Sequence, residues 1–251
     1  MPYTAGFLLF YIKVCTIIIM AKTHKEANSF GYEIKDIILG AQDGLVNVLG
    51  VILAVAAATT SAKLVIIAGL AATFAESISM AAVAYTSTKS LNSYYQSEVE
   101  REKREIEEIP DREEKEIRQI YYKKGFRGNF LNQIVGKITS NKQVWLDTMM
   151  LEELKLSPPE NNRPLKSAAV VGFSALAGSL FPVLSFLFLP VYEAAIGSII
   201  ISIIILFLLG ASKARVTVGK WWKSGLEISV IGILAALIGY GIGVLLGVTI
   251  V

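Results

Sequence analysis

Five charge-poor stretches, each about 20 residues long, are the feature that most constrains the fold of this chain. Because the hydrocarbon core of a bilayer is about 30 Å thick and a helix rises about 1.5 Å per residue, such stretches predict membrane-spanning helices. The content of 53% hydrophobic and 18% charged residues is typical of a membrane protein and unlike an ordinary soluble enzyme. The predicted spans are Ile37–Ala58, Leu64–Tyr85, Ala168–Leu189, Ala194–Ala211 and Ile228–Val251.

A polar insert separates the second predicted span from the third. Residues 89–164 hold 14 Lys and Arg and 14 Asp and Glu, more than half of the charged residues in the chain. We therefore predict an all-α membrane protein, with spans 1–2 within residues 32–88, a helical insert at 89–164, and spans 3–5 within residues 165–251. The net charge of +3 and the balanced insert indicate no nucleic-acid partner.

The distribution of Lys and Arg predicts the orientation in the membrane. Basic residues precede span 1, fill the insert and lie between spans 4 and 5, whereas the two short turns hold only Lys63. Since basic loops face the cytoplasm, we expect a cytoplasmic insert and a C-terminus on the other side of the membrane.

Residues 1–31 are predicted to be an N-terminal extension. The apolar stretch from Ala5 to Met20 is short, is interrupted by Lys13, and lacks a convincing signal-peptidase site. Our leading interpretation is that the natural start is Met20. An interfacial anchor is the alternative, and a sixth span is the least favoured because it would upset the charge asymmetry.

Two acidic residues lie inside predicted spans, where a charged side chain costs about 2.5 to 3.5 kcal/mol on insertion scales. Counting from the span centres places Asp43 about 7 Å and Met80 about 8 Å toward the cytoplasm, and Asn47 and Glu76 within about 2 Å of the midplane. Within each helix the two polar residues are four positions apart and project from one face. If the faces meet, they form a cation path; the alternative is that both acids are protonated packing residues.

The insert is predicted to contain three helices. The helix of span 2 has no breaker after Tyr85 and is expected to continue to about Glu108, before Pro110. Asp111, with Glu114 as its capping-box partner, is expected to begin a second helix that ends near Lys124. A third helix is expected at about Lys142–Lys155.

Acidic residues in the insert occur at spacings that allow metal binding. Glu102 with Glu105, and Glu113 with Glu116, are i, i+3 pairs that can converge on one cation. Glu153 follows Met149 and Met150 by one turn. Carboxylates suit Mg²⁺, Ca²⁺ or Mn²⁺, and thioethers shift the preference toward softer ions such as Fe²⁺. The alternative is an ordinary solvated charged face, as we expect for Glu100, Glu107, Glu108 and Glu114 beside Arg104, Arg112 and Lys115.

Together these motifs resemble the vacuolar iron transporter family. The resemblance extends from about Tyr32 to Val251 and rests on Asp43-Gly44-Leu45-Val46-Asn47, Ser79-Met80-Ala81, the two Glu-x-x-Glu pairs and Met149-Met150-x-x-Glu153. It implies a homodimeric antiporter that exchanges protons for cytosolic Fe²⁺, with Mn²⁺ or another divalent ion as a further candidate substrate. It also implies that Asp43 and Met80 line the translocation path. The metal-binding residues that it implies in the insert are Glu102, Glu105, Glu113, Glu116, Met149, Met150 and Glu153.

One position departs from the family pattern. Many members have a glutamate just before the tyrosine that follows the Ser-Met motif, where this chain has Ala84. Glu76 lies on the same helix face about 12 Å deeper, and we expect it to serve as the membrane carboxylate instead. The membrane itself would be the cell membrane in a prokaryote and the vacuolar membrane in a eukaryote.

The sequence favours one of four classes of function. A proton-coupled metal exporter is favoured over a membrane-anchored metal sensor or buffer, because an anchor needs neither Asp43 nor Glu76. A di-iron oxidase lacks its Glu-x-x-His motif, and an ATP-driven pump lacks its P-loop. Cys15 and His24 are the only residues of their types, which excludes a Cys₄ or Cys₂His₂ zinc site within one chain. No prosthetic group is expected.

Overall fold

The computed structural model describes residues 27–159, 163–216 and 219–247, and every regular element in these ranges is helical. The predictions for residues 1–26, including a start at Met20, therefore lie outside the described residues. The helices are α1 (Ala27–Ala58), α2 (Ala62–Glu108), α3 (Pro110–Lys123), α4 (Gly128–Thr139), α5 (Lys142–Thr148), α6 (Pro164–Leu184), α7 (Val191–Val216) and α8 (Trp221–Gly247). A π-helical turn, Met149–Glu153, follows α5, and a 3₁₀ turn, Ser185–Leu187, follows α6.

Five of these helices are long and apolar enough to cross a membrane, in agreement with the predicted spans. The segments are Glu33–Ala58, a part of Ala62–Glu108, Pro164–Leu187, Val191–Ala214 and Trp221–Leu246. At 47 residues, α2 is about 70 Å long, more than twice the thickness of the hydrocarbon core. Its polar C-terminal half must therefore extend beyond the bilayer, and the prediction that span 2 continues as one helix to Glu108 is confirmed.

The chain divides into two compact units. The first, here called the transmembrane unit, consists of the described residues up to Ala84 and from Leu165 onward. The second, the helical insert, is Tyr85–Pro164, compared with the 89–164 expected from the sequence. The division matches the change in composition from apolar spans to a charge-rich segment.

Small residues bring α1 close to two other helices of the transmembrane unit. A Cβ atom added to Gly44 would lie 2.4 Å from the carbonyl oxygen of Ala175 in α6. On α8, a Cβ added to Gly243 would lie 2.1 Å from the carbonyl oxygen of Ala54 in α1. Any larger side chain at these glycines would push the backbones apart, so α1 is held tightly on both sides.

The start of α3 differs from the prediction. Ile109, and not Asp111, is the N-cap residue, and its side chain makes no capping hydrogen bond. Pro110 occupies the first helical position, where its fixed φ suits the helix and its missing N–H costs nothing. Asp111 and Glu113 consequently lie in the first turn, where a negative charge interacts favourably with the helix dipole.

The expected third helix is interrupted, and one helix was missed. Asn141 caps α5 by accepting hydrogen bonds from the N–H groups of Gln143 and Val144, but the α-helix ends at Thr148 and continues as the π-helical turn. The missed helix is α4. Its buried residues, Leu131, Val135 and Ile138, have the i, i+4, i+7 spacing of an amphipathic helix.

Candidate metal centres

The insert brings all five of its predicted glutamate ligands into one acidic cluster, defined as Glu102, Glu105, Glu113, Glu116 and Glu153. Carboxylate oxygens of Glu102, Glu105 and Glu113 lie within 4.8 Å of one another. The same holds for Glu113, Glu116 and Glu153. Glu113 belongs to both groups and therefore connects the two halves of the cluster.

The local helix geometry explains this convergence. The i, i+3 spacing places both glutamates of α2 on one helix face and both of α3 on another. The two helices are joined only through Ile109, whose N–H donates to the carbonyl of Glu105 at 2.8 Å, so the chain turns back immediately after α2. Beneath the acids, Ile106 and Ile117 are buried in a shared hydrophobic core, which fixes the two acidic faces against each other.

Two of the glutamates are almost completely buried. Glu102 and Glu113 are each only 1% exposed. One carboxylate oxygen of Glu102 and both of Glu113 have no hydrogen-bond partner among the described residues. Since a buried carboxylate without a partner is strongly unfavourable, this arrangement favours either protonation or the binding of a cation.

Two arginines lie at the margin of the acidic cluster, and sequence reasoning assigned neither of them a role there. Arg101 pairs with Glu98 at 2.8 Å and Glu102 at 3.2 Å, and lies 3.7 Å from Glu105. Arg112 pairs with Glu116 at 3.2 Å. The spacing was an available signal, because Arg101 follows Glu98 by three positions and precedes Glu105 by four.

The acids predicted to be ordinary surface charges have other partners than expected. Glu114 pairs with Arg118 at 3.2 Å, and Glu107 pairs with Lys142 at 3.0 Å. Both pairs lie at the surface of the insert. Arg112, predicted to pair with such surface acids, instead contacts a member of the acidic cluster.

The environment of the cluster raises the pKa of several carboxyls. Burial, followed by the charges of Glu116 and Glu102, raises the pKa of Glu113 to about 7. Partial desolvation, followed by the charges of the same two glutamates, raises the pKa of Glu153 to about 7, although Glu153 as a residue is exposed. Burial also raises the pKa of Glu102, against the opposing effect of Arg101. The cluster therefore holds protons near neutral pH.

The two methionines occupy a different environment from the acids. Met149 and Met150 are buried in the hydrophobic core of the insert, together with Ile106 and Ile117. They lie in the π-helical turn that ends with Glu153, and such turns are frequent at functional sites. Core packing is sufficient to explain their burial, and a thioether contact with metal stays a prediction.

In the transmembrane unit, the carboxyl groups of Asp43 on α1 and Glu76 on α2 lie close enough to interact with each other. Two carboxyls at this separation repel each other when both are ionised. A proton held by one of them, or a cation bound between them, would remove this repulsion. Asp43, Glu76 and Met80 are all half-buried. The structure thus brings together one acid from each of the first two spans.

The contact differs from the predicted layers, which matched Asp43 with Met80 and Asn47 with Glu76 in depth. Asp43 instead meets the acid that is one turn deeper on α2. Asn47 is exposed on the surface of the single chain. Thr73 and Ser77, which flank Glu76, hydrogen bond to backbone carbonyls of their own helix at 2.8 and 2.6 Å. The polar groups that face each other are therefore the two carboxyls.

Comparison with known proteins identifies related sequences over most of the chain. A family model described as the VIT family matches residues 34–244. Vacuolar iron transporter 1 of Eucalyptus grandis is 33% identical over 220 residues, covering 87% of this chain and 88% of the relative. Vacuolar iron transporter 1 of Arabidopsis thaliana is 32% identical over 207 residues, covering 82% and 83%. Protein CCC1 of Saccharomyces cerevisiae is 30% identical over 212 residues, covering 81% and 66%.

Proposed function

Because the chain belongs to the VIT family, as its motifs predicted, we propose that it exports Fe²⁺ from the cytosol in exchange for protons. Mn²⁺ is the second candidate substrate. The observation that carries this proposal is the contact between Asp43 and Glu76 within the membrane-spanning helices. A helix pair that only anchors an insert gains nothing from two carboxyls at membrane depth, whereas a route for a divalent cation requires them.

The acidic cluster is proposed to capture the ion. Five carboxyls offer hard oxygen ligands, and three of their buried oxygen atoms have no other partner among the described residues. Glu113 and Glu153 hold protons near pH 7, so a divalent ion must displace these protons when it binds. Met149 and Met150 are proposed to add thioether ligands that favour Fe²⁺ over Mg²⁺ or Ca²⁺.

The Asp43–Glu76 pair is proposed to pass the ion across the membrane, with the thioether of Met80 and the amide of Asn47 as further ligands. When metal binds between the two carboxylates, a proton held by the pair is released. When a proton returns from the acidic side of the membrane, one carboxyl becomes neutral and the metal is released. Metal and protons therefore compete for the same oxygen atoms, which couples their opposite movements.

A second copy of the chain is proposed to complete the path. Asn47 is exposed on the single chain although it lies in the middle of a membrane span, where an unpaired amide in lipid is unfavourable. A homodimer that covers this part of α1 would shield the amide.

We also propose a cytoplasmic insert and a C-terminus on the opposite side, from the distribution of Lys and Arg. The names of the relatives support a vacuolar membrane.

A flux assay tests the proposal. The full chain is reconstituted into liposomes so that the insert faces the bath, and uptake of Fe²⁺, Mn²⁺, Zn²⁺ and Ca²⁺ is measured with and without an acidic lumen. We expect Fe²⁺ uptake that requires the pH gradient and is lost in Asp43→Asn. The matched control is Glu227→Gln, which neutralises an exposed acid on α8.

The result separates the proposal from its main rival. A sensor or buffer would bind Fe²⁺ at the acidic cluster but show no uptake in any vesicle. Uptake that is equal in the wild type and in Asp43→Asn would also contradict the proposed route, because the ion would then cross elsewhere.

A further inference from the structure

The charges of the helical insert are segregated along its sequence. Ten Asp and Glu residues lie between Glu98 and Glu116, and these include most of the acidic cluster. The following stretch, from Arg118 to Lys142, contains six Lys and Arg residues and no Asp or Glu. The positive and negative charges of the insert therefore balance only over its whole length. The region around the connection between α3 and α4 is strongly basic.

Exposed aromatic side chains accompany these basic residues. We define the basic–aromatic surface as Tyr122, Lys123, Lys124, Arg127 and Phe130. Tyr122 is 51% exposed and Phe130 is 60% exposed, and the three basic residues are also exposed. Exposed aromatic rings that lie together with basic side chains are typical of surfaces that contact a partner or a membrane.

Local contacts fix the shape of this surface. The guanidinium carbon of Arg127 lies 3.5 Å from the centre of the Tyr122 ring, and Arg127 donates hydrogen bonds to the carbonyls of Tyr122 and Phe126. Phe126 packs between Tyr121 and Phe130, with ring centres 5.9 and 5.7 Å away. The exposed rings and charges are thus presented by an ordered connection.

The fold of the insert places this surface toward the end of the insert that leads into span 2. Because Glu113 on α3 meets Glu102 and Glu105, α3 runs back along α2. Tyr121 and Phe126 pack against the same hydrophobic core as Tyr95 of α2. Tyr95 is ten residues from Tyr85, where the predicted span ends, which is about 15 Å along the helix.

We propose that the basic–aromatic surface docks on the anionic phospholipid headgroups of the bilayer that the chain spans. Lys and Arg side chains are attracted to an anionic membrane surface, and amphipathic side chains such as Tyr are favoured at the headgroup level. No acid lies between Arg118 and Lys142 in the sequence, and although Glu152 pairs with Lys124, the other two basic residues leave this surface with a net positive charge. The spanning helices also keep the bilayer at a high effective concentration. This inference does not depend on the transported ion.

Quenching by spin-labelled lipids tests the docking in the full chain. Cys15, the only cysteine, is replaced by Ser, and Asn129→Cys, an exposed position beside Phe130, carries a fluorophore. The protein is placed in nanodiscs of phosphatidylcholine alone or with phosphatidylglycerol, each with a headgroup-proximal spin label. We expect at least about threefold stronger quenching in the anionic discs, and its loss in about 1 M salt, where the Debye length is about 3 Å.

Two paired substitutions separate docking from general effects on charge. Lys123→Glu with Phe130→Ser should reduce the quenching in anionic discs to the level seen in neutral discs. Lys103→Glu with Val144→Ser changes one exposed basic and one exposed apolar residue elsewhere in the insert and should leave the quenching unchanged. Because all four side chains are exposed, neither variant should disturb the core.

Two outcomes would overturn the proposal. One is equal quenching in neutral and anionic discs. The other is burial of the fluorophore that persists in detergent and does not depend on lipid charge, which would assign the surface to a contact with a second copy of the chain.

Discussion

The acidic cluster and the Asp43–Glu76 pair contain the same chemical group in two different settings. The cluster has five carboxyls from three elements of the insert, two arginines at its margin and one exposed member, Glu153, at its edge. The pair has two carboxyls on neighbouring spans that lie close enough to interact. Carboxylates in the insert can exchange ions with water, whereas two neighbouring carboxylates in a span lower the cost of their charge by sharing a proton or a cation.

The difference indicates how each centre should respond to mutation. In a cluster of five ligands, the loss of one carboxylate leaves four, so metal binding should weaken by steps. In a pair, the loss of either carboxylate removes half of the ligand charge, so either substitution alone should stop transport of the ion across the membrane. Substitutions at the two centres therefore distinguish a graded centre from an all-or-none centre.

The largest effect is expected for Glu76→Gln. The amide is similar in size to the carboxyl but cannot carry the negative charge that holds a divalent ion, so maximal Fe²⁺ flux should fall by about a hundredfold or more, or about 2.7 kcal/mol. Binding of metal to the insert should be unchanged. Flux is measured in proteoliposomes and binding by calorimetry on the same preparation, with Glu227→Gln as the control. Retained flux would show that Asp43 needs no partner.

The second largest effect is the pH dependence of metal binding at the cluster. Since the pKa values of Glu113 and Glu153 are raised from 4.5 to about 7, protons compete with metal below pH 7. Affinity for Mn²⁺ should rise by about tenfold per group between pH 6 and pH 8 and then level off. Calorimetry on the full chain measures the slope. A flat profile would contradict the proposed displacement of protons.

The same shifts predict the pH dependence of stability without metal. A carboxyl with a raised pKa binds its proton more tightly in the folded insert than in the unfolded chain. The stabilisation is therefore complete below about pH 4.5 and is lost as the pH rises through about 7. Thermal unfolding followed by circular dichroism should show this loss, and added Mn²⁺ should reverse it above pH 7.

A smaller effect is expected for Glu113→Gln. This variant keeps the buried side chain but removes one charge from both halves of the cluster, so the half-saturating metal concentration should rise by about tenfold, or about 1.4 kcal/mol. Maximal flux should stay within about twofold. Glu114→Gln, on the next residue and paired with Arg118, is the control and should change neither value. A large loss of maximal flux would contradict the separate roles of the acidic cluster in capturing the ion and of the Asp43–Glu76 pair in passing it across the membrane.

The smallest effect is expected for Arg101→Gln. Arg101 neutralises part of the charge of Glu102 and Glu105, but the guanidinium is considerably exposed and its pairs are screened by water. Removing it should tighten metal binding by less than about threefold. Arg104→Gln, a change of an exposed arginine one turn further along α2, is the control. Weaker binding in Arg101→Gln would instead make this arginine part of the support for the cluster.

The sequence predicted the features that depend on strong local patterns. The five spans follow from length and hydropathy, and the convergence of Glu102 with Glu105, and of Glu113 with Glu116, follows from helical spacing. It did not predict α4, because Asn132 and Gly136 lower the helical signal around its three buried residues. The predicted cap of α3 is wrong because Pro110 does more than end the preceding helix: proline is also favoured at a first helical position.

The pairing of Asp43 with Glu76 could not be obtained from counting along the spans. Depth estimates assume that each helix is centred in the membrane and untilted, but close packing sets the actual register. Gly44, next to Asp43, allows α1 to approach α6 until a Cβ at this position would nearly touch a backbone carbonyl. Such contacts join residues that are distant in sequence, and no local pattern encodes them.

A double-mutant cycle on the carboxyl pair tests the central claim most directly. Maximal Fe²⁺ flux and the accompanying proton movement are measured in the same vesicles for the wild type, Asp43→Asn, Glu76→Gln and the double variant. We predict that each single variant loses both movements as completely as the double variant, because the two carboxyls act as one site. Independent, additive losses, or iron flux that continues without proton movement, would contradict the account.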